Sequence, residues 1–364
     1  MQSSMRQTVA TVAAALTGFA AVGYAMAASA PASFARRASA ATRATSTPQR
    51  CCLSGGRAGG GVGHRGAQRG AAAEYSPVPR SRLARRQVGG RLLASSGVIV
   101  AAHGRPLPGV PASAYVVANA RTGQVLAAKD PHGLYPPAST LKVLTAITML
   151  PRLKPQASVV ATRLAASVVP NVVGLIPGHR YKVSDLFRAL LLISANDAAV
   201  ALVQASGSYA RGMTLVNAEA RRLRAYDVHA VQPNGLDAPG QVVSAYDLAL
   251  IARKALSMPA FMGYDSTVSA TFPVTAQKPL PMVNQNALLT QYPGGIGGKI
   301  GWTPPAGATY IGMARRHGVT LIVTILHATP LTEITSAERL LNWGFAANGH
   351  VDAVGRLVPP LPGG

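Results

Sequence analysis

Three short stretches of this 364-residue chain hold side chains at spacings suited to chemistry. The first is Pro136-Pro137-Ala138-Ser139-Thr140-Leu141-Lys142, in which a hydroxyl and an amine stand three residues apart. On a helix that starts at Ser139 the two share a face, so the amine can approach the hydroxyl. Burial and the positive end of the helix both disfavour an ammonium, which leaves Lys142 able to accept a proton and Ser139 able to act as a nucleophile. The second stretch runs Leu190 to Val200 and places Ser194 and Asn196 at the end of a strongly apolar run. In the third, Gly294-Gly295-Ile296-Gly297-Gly298-Lys299-Ile300-Gly301-Trp302-Thr303, a glycine-rich approach sets a lysine on a strand edge beside Gly301. A glycine there lets a substrate backbone lie against the strand. Each stretch alone has a plainer reading, since serine, asparagine and aspartate cap helices and a lysine after glycines is often solvated.

The surrounding pattern says what must position these residues. Pro136 and Pro137 disfavour helix before Ser139, and the apolar periodicity that follows stops at Pro151. Ala114 to Asn119 and Gln124 to Ala128 flank Ala120-Arg121-Thr122-Gly123 and read as a hairpin. A second hairpin joins Ala308 to Ala314 with Val319 to Leu326. Between them helical patterns dominate over 139–150, 183–204, 209–224 and 244–256, and a last helix spans 331–346. Strands at both ends with helices between them predict an α+β domain whose antiparallel sheet is built from both ends of the domain.

Charge divides the chain unevenly. With 35 Lys and Arg against 12 Asp and Glu the formal net charge is +23, and residues 1–91 contribute 13 arginines and one acid, Glu74. That excess lies among Ala, Gly, Ser and Pro, without the folded face and interleaved aromatics expected of a nucleic-acid-binding domain. Residues 1–30 read as an export signal or anchor, with an Ala-rich run from Thr8 to Ala28 and Ala25-Met26-Ala27 as a cleavage candidate. Residues 31–110 read as a basic low-complexity linker. Within it, 80–102 is a candidate second signal, because the Arg85-Arg86 cluster precedes an apolar run from Leu92 to Ala102 and would put the native start near Val78. The catalytic domain is expected over 111–347 and a tail over 348–364. Cys51 and Cys52 are adjacent and inside the arm, which suits neither a disulfide framework nor a metal site. His132 and His179 lack metal spacing and are expected as solvated loop residues.

In their order and separations, the three stretches resemble the Ser-x-x-Lys, Ser-x-Asn and Lys-Thr-Gly motifs of serine penicillin-binding proteins and β-lactamases. The segments Pro233 to Asp237, Ser244 to Leu248 and Asn284 to Leu289 resemble the low-molecular-mass D-alanyl-D-alanine carboxypeptidases in particular. The resemblance implies a β-lactamase/transpeptidase-like fold with an inserted helical subdomain, and a peptidoglycan stem pentapeptide as substrate. It implies catalytic roles for Ser139, Lys142 and Ser194 and substrate-binding roles for Asn196, Lys299, Gly301, Trp302 and Thr303. The backbone N–H groups of Ser139 and Trp302 would form the oxyanion hole, and Lys299 would attract the terminal carboxylate and bind through Ser194. β-Lactams would act as inhibitors by acylating Ser139. The implied chemistry needs no cofactor and no metal, and involves no nucleic acid. The implied location is the extracytoplasmic envelope, secreted or attached to the membrane through the amino-terminal segment.

Two features depart from that family pattern. Ile300 stands where the third motif has threonine or serine, which removes a hydroxyl from carboxylate recognition, and Thr303 is the candidate substitute. After His327 only 37 residues remain, too few for the β-rich domain and amphipathic helix that many such carboxypeptidases append. A class A β-lactamase would need a glutamate between the second and third motifs, and Glu219 alone is available there. A secreted, non-catalytic wall-binding protein is the alternative from another class.

Overall fold

The computed structural model describes residues 88–103 and 105–362. A 3₁₀ turn, Arg91–Ala94, leads to β1 (Val98–Val100), and β2 (Ala112–Asn119) and β3 (Gln124–Lys129) form the first expected hairpin. Ser139 lies in a second 3₁₀ turn, Ala138–Thr140, which feeds α1 (Leu141–Met149). The insert then contains β4 (Ser158–Val160), α2 (Arg163–Ala166), β5 (Arg180–Lys182), α3 (Val183–Leu192), α4 (Asn196–Gln204) and α5 (Tyr209–Arg222). It continues through α6 (Ala245–Leu256), α7 (Pro259–Asp265), β6 (Ser269–Thr275), β7 (Lys278–Val283) and α8 (Leu288–Gln291). The chain returns as β8 (Gly295–Thr303), β9 (Gly307–Arg316) and β10 (Val319–Ala328), and ends on α9 (Glu333–Ala347) and β11 (Gly355–Arg356).

The main sheet is antiparallel in the order β1-β3-β2-β10-β9-β8, with β11 also on β3. The two ends of the domain thus meet at the β2–β10 pair, as the α+β reading expects. Both central strands are buried on both faces, so they read as unbroken apolar runs and not as alternating ones. Alternation survives in where the side chains go. Ala114, Val116 and Ala118 join a core shared with α1, α3, α4 and α6, whereas Tyr115 and Val117 join a second core under α9. At the other end of the order, β8 is an edge strand among the described residues.

Three differences from the sequence reading have physical causes. The helical pattern over 183–204 is two helices, broken at Ile193-Ser194-Ala195, because Ser194 takes φ +64° and the chain turns there. Residues assigned to the linker and tail join the sheet: β1 pairs with β3 over Lys129 to Ala127, β11 pairs with Val125 and Gln124, and Leu93 is buried. Segments of two or three residues carry no periodicity of their own and become strands only because β3 presents them with an edge. The antiparallel pair β4–β5 and the hairpin β6–β7 are further strands in stretches between the expected helices, to which the sequence reading assigns no element. Residues 1–87, with the first export signal and most of the basic arm, lie outside the described residues.

Candidate active site

The turn that carries Ser139 is held from three sides. Ala138 is buried with φ +45°, a left-handed conformation that costs a side-chain-bearing residue about 1–3 kcal/mol and persists only where the surroundings enforce it. The Pro137 carbonyl accepts from Thr140 Oγ1 at 2.6 Å and from Thr309 Oγ1 of β9 at 2.9 Å. Gly235, at φ +82°, lies so near that a Cβ would overlap the Ala138 carbonyl oxygen. On β8, a Cβ at Gly301 would come within 2.6 Å of both the Ser139 nitrogen and Thr309 Oγ1. The glycine expected to admit a substrate backbone therefore has a different first duty, to admit the chain's own Ser139 turn.

Lys142 is wholly inaccessible on α1. Its Nζ donates to Ser139 Oγ at 2.7 Å, to Asn196 Oδ1 at 2.8 Å and to the Asn234 carbonyl at 2.7 Å. Burial, and after it the positive charge of Lys299, hold its pKa well below the usual lysine range. In the neutral amine two N–H groups satisfy Asn196 and Asn234, neither of which can donate from the oxygen it presents, so the lone pair is left facing Ser139. Asn196 is itself fixed, donating through Nδ2 to the Val169 carbonyl at 2.9 Å and through its backbone N–H to the Asn171 carbonyl at 2.7 Å. The backbone bond sets the start of α4 against the loop that precedes β5. Asp197 completes that anchor, its carboxylate accepting from the backbone N–H groups of Val173, Gly174 and Leu175.

Ser194 is buried on the α3–α4 turn, and its Oγ has no hydrogen-bond partner among the described residues. The expectation that Lys299 binds through Ser194 is corrected, because Lys299 Nζ donates instead to the Ile300 carbonyl at 2.8 Å. Lys299 is buried, and burial pulls its pKa down to about 7 against the opposing pull of Asp265. Thr303 is also not free to replace the missing hydroxyl of the third motif. It donates to Asp237 Oδ1 at 2.9 Å and accepts from the Ala306 N–H at 3.2 Å, closing the β8–β9 turn. Lys299, Gly301 and Thr303 are buried on one face of β8, whereas Ile300 is half-buried beside the second core and Trp302 is 40% exposed.

One further expectation changes. His132 is not a solvated loop residue: its Nδ1 lies 2.7 Å from Asp227 Oδ2, its Nε2 lies 3.1 Å from the Val88 carbonyl, and its ring packs 4.7 Å from that of Tyr246. His179 is exposed, as expected. Glu219, the glutamate a β-lactamase reading would need, is bonded twice to Arg222 on its own helix, at 2.8 and 2.6 Å. Sequence reasoning misses the contribution of Asn234, whose part is played by a backbone carbonyl, and it assigns nothing to Asp265. The Asn-Gly pair at 234–235 is a turn signal that points to the former.

Residues 101–330 match the family model of the D-alanyl-D-alanine carboxypeptidases, peptidase S11. The chain belongs to this family. The match spans all three motif stretches. The D-alanyl-D-alanine carboxypeptidase DacB2 of Mycobacterium tuberculosis is 39% identical over 258 residues, which cover 69% of this chain and 88% of that protein. DacD of Escherichia coli is 33% identical over 252 residues, covering 65% of this chain and 64% of that longer protein. Among solved structures, a D-alanyl-D-alanine carboxypeptidase from Mycobacterium tuberculosis superposes with a TM-score of 0.67 at 37% identity, covering 72% of this chain and all of that one. A mutant of a Streptomyces DD-transpeptidase gives a TM-score of 0.63 at 27% identity, covering 66% of this chain and 99% of that one. These likenesses bear out the mixed α+β fold with a sheet drawn from both ends.

Proposed function

We propose that this serine-type D-alanyl-D-alanine carboxypeptidase cleaves the terminal D-alanine from peptidoglycan stem pentapeptides through an acyl-enzyme on Ser139. The observation that carries the assignment is the 2.7 Å bond between Lys142 Nζ and Ser139 Oγ, on an amine whose two other partners are both acceptors. The neutral amine takes the hydroxyl proton as Ser139 Oγ attacks the carbonyl between the two terminal D-alanines. The developing oxyanion is received by the backbone N–H groups of Ser139 and Trp302, on the turn and strand that Gly301 brings into contact. As the C–N bond breaks, Ser194 relays a proton from Lys142 to the leaving amine. Water then attacks the ester, returning Ser139 and releasing the shortened stem peptide.

Substrate placement follows from the edge position of β8. An extended peptide can lie along that edge, with main-chain bonds supplying affinity and Lys299 drawing the terminal carboxylate. β-Lactams present an acyl group and a carboxylate in the same arrangement, and trap Ser139 as a slow ester. The protein works outside the cytoplasmic membrane, where its substrate class is found, and the amino-terminal segment, at 1–30 or 80–102, carries the export address and any membrane contact.

A fluorescent penicillin tests the assignment. We expect a stable adduct, its mass shift on the peptide containing Ser139, and none with Ser139→Ala. Rapid turnover of the label with no lasting adduct would instead support a β-lactamase, and the absence of label on the wild type would support a binding protein. Incubation with a defined pentapeptide should release one D-alanine.

A further inference from the structure

A substrate that reacts at Ser139 has only one direction in which to lie on the edge of β8. Lys299 draws its terminal carboxylate and the Trp302 N–H receives the scissile carbonyl, so the peptide runs from its carboxyl end at Lys299 towards its amino end past Trp302, antiparallel to the strand. An extended peptide rises by the same distance per residue, about 3.4 Å, as the strand it lies on. One residue beyond the carbonyl at Trp302 therefore stands at Thr303, the last residue of β8. The bond cleaved joins the fourth and fifth residues of a pentapeptide, so the residue at Thr303 is the third.

An exposed carboxylate stands at that point. Thr303 Oγ1 donates to Asp237 Oδ1 at 2.9 Å, which leaves Oδ2 open, and Asp237 has no cationic partner among the described residues. The carboxylate is held on a fixed segment. Gln241 accepts the N–H groups of Val231 and Gln232 at 3.0 and 2.7 Å and donates to the Leu236 carbonyl, while Thr145 donates to the Pro233 carbonyl at 2.7 Å. Two residues before Asp237, Gly235 abuts Ala138 and the Ser139 nitrogen; two residues before Thr303, Gly301 abuts the same nitrogen from β8. The Asp237–Thr303 bond thus joins two segments that both depart from the nucleophile turn. Asp197 and Asp265 are buried, so of these three carboxylates Asp237 is the one that a substrate on the strand edge meets. The edge then carries opposite charges at its two ends, Lys299 at one and Asp237, beside Thr303, at the other. Its complement is a peptide with a carboxylate at its terminus and an ammonium two residues earlier.

We propose that Asp237 forms a subsite for the side-chain ammonium of a diamino acid at the third position of the stem peptide. The inference rests on the acyl-enzyme reading given above, which sets the direction of the substrate. An amine of that kind is charged at neutral pH, and a carboxylate fixed in advance binds it without having to be ordered first. A stem whose amine is already tied into an amide, as in a cross-link, brings no charge to the subsite. Asp237 therefore directs the enzyme to stems that are still free.

Two pentapeptides that differ only at the third residue test this, one with lysine there and one with Nε-acetyl-lysine, each scored by released D-alanine. We expect the wild type to cleave the free amine with a kcat/KM about fivefold higher, the upper range for an ion pair at a surface. That preference should shrink as added salt screens the pair. In Asp237→Asn the carboxamide oxygen still accepts from Thr303 while the charge is gone, and the two peptides are expected to react at equal rates. A loss that falls on both peptides alike, with the wild-type ratio kept, would mean that Asp237 only braces β8 and would overturn the proposal. So would a preference for the free amine that salt leaves unmoved. Failure of the wild type to cleave either peptide or to form a penicillin adduct on Ser139 would sink the reading of the reaction and this inference with it. An adduct on Ser139 with both peptides cleaved equally by the wild type sinks this inference alone.

Discussion

At the scale of single residues, the site's logic is a matter of which groups can donate. Lys142 meets three oxygens, of which Asn196 Oδ1 and the Asn234 carbonyl only accept, so the hydroxyl of Ser139 is the one partner able to return a proton. Ile300 is the residue at which this chain leaves the pattern. A substrate on the free edge of β8 is flanked by both faces of the strand, and Ile300 offers it methyl groups where a hydroxyl would bind the carboxylate. Thr303 cannot make good the loss while it holds Asp237. A hydrogen bond to a charged group contributes about 1.5–3 kcal/mol, or roughly tenfold or more in a rate or equilibrium. Ile300→Thr is therefore expected to raise penicillin acylation by about tenfold, with a small fall in melting temperature as the side chain leaves the second core. Unchanged acylation kinetics in the variant would count against a role for that position in carboxylate capture.

Elements place those residues by close approach, and here the sequence is legible only in part. Ser139 and Lys142 can be found because their spacing is local, and the two hairpins because their turns and apolar runs are local too. The break between α3 and α4 is hidden inside one apolar run, and only the polar pair Ser194 and Asn196 betrays it. Asp265 leaves no pattern, and the Asn-Gly signal at Gly235 marks a turn without showing that the turn packs on Ala138, since each acts on a segment many residues away and its meaning arises from the packing of those segments. Gly301 stands out in the sequence for the right strand and the wrong neighbour. A methyl group there, 2.6 Å from the Ser139 nitrogen, must push β8 and the nucleophile turn apart. Displacements of about 1 Å at a reacting centre cost on the order of 100-fold. Gly301→Ala should lose acylation on that order while keeping its far-ultraviolet circular dichroism, and a near-normal rate would show that the contact is not what sets the geometry.

For the whole molecule, burying two lysines under a sheet edge is a cost that the rest of the fold must offset. The offset comes from two cores on opposite faces of the sheet, joined at β2 and β10, and from terminal segments that close on one another where the Arg356 N–H donates to the Gly89 carbonyl at 2.7 Å. The cost has a sign that pH reveals. Lys299 titrates near 7 in the folded protein and near the ordinary lysine value of 10.5 when unfolded. Between those values the unfolded chain binds more protons, so this group's contribution makes stability rise with pH, and its full cost is present below the folded pKa. Asp265 acts oppositely at lower pH: raised to about 7 by burial, it binds its proton more readily when folded, and its contribution makes stability fall as pH rises from 3.8 to that value. Lys299→Met removes the amine and leaves an apolar side chain of similar length in the same space, so the cost of burying that amine's charge is gone. Its stability relative to the wild type in chemical denaturation should therefore be highest at neutral pH and fall steadily towards pH 10, because the wild type gains with deprotonation of Lys299 while the variant has no amine there to titrate. A difference that stayed constant over that range would mean that Lys299 titrates normally in the fold, and that the site is wetter than its geometry implies.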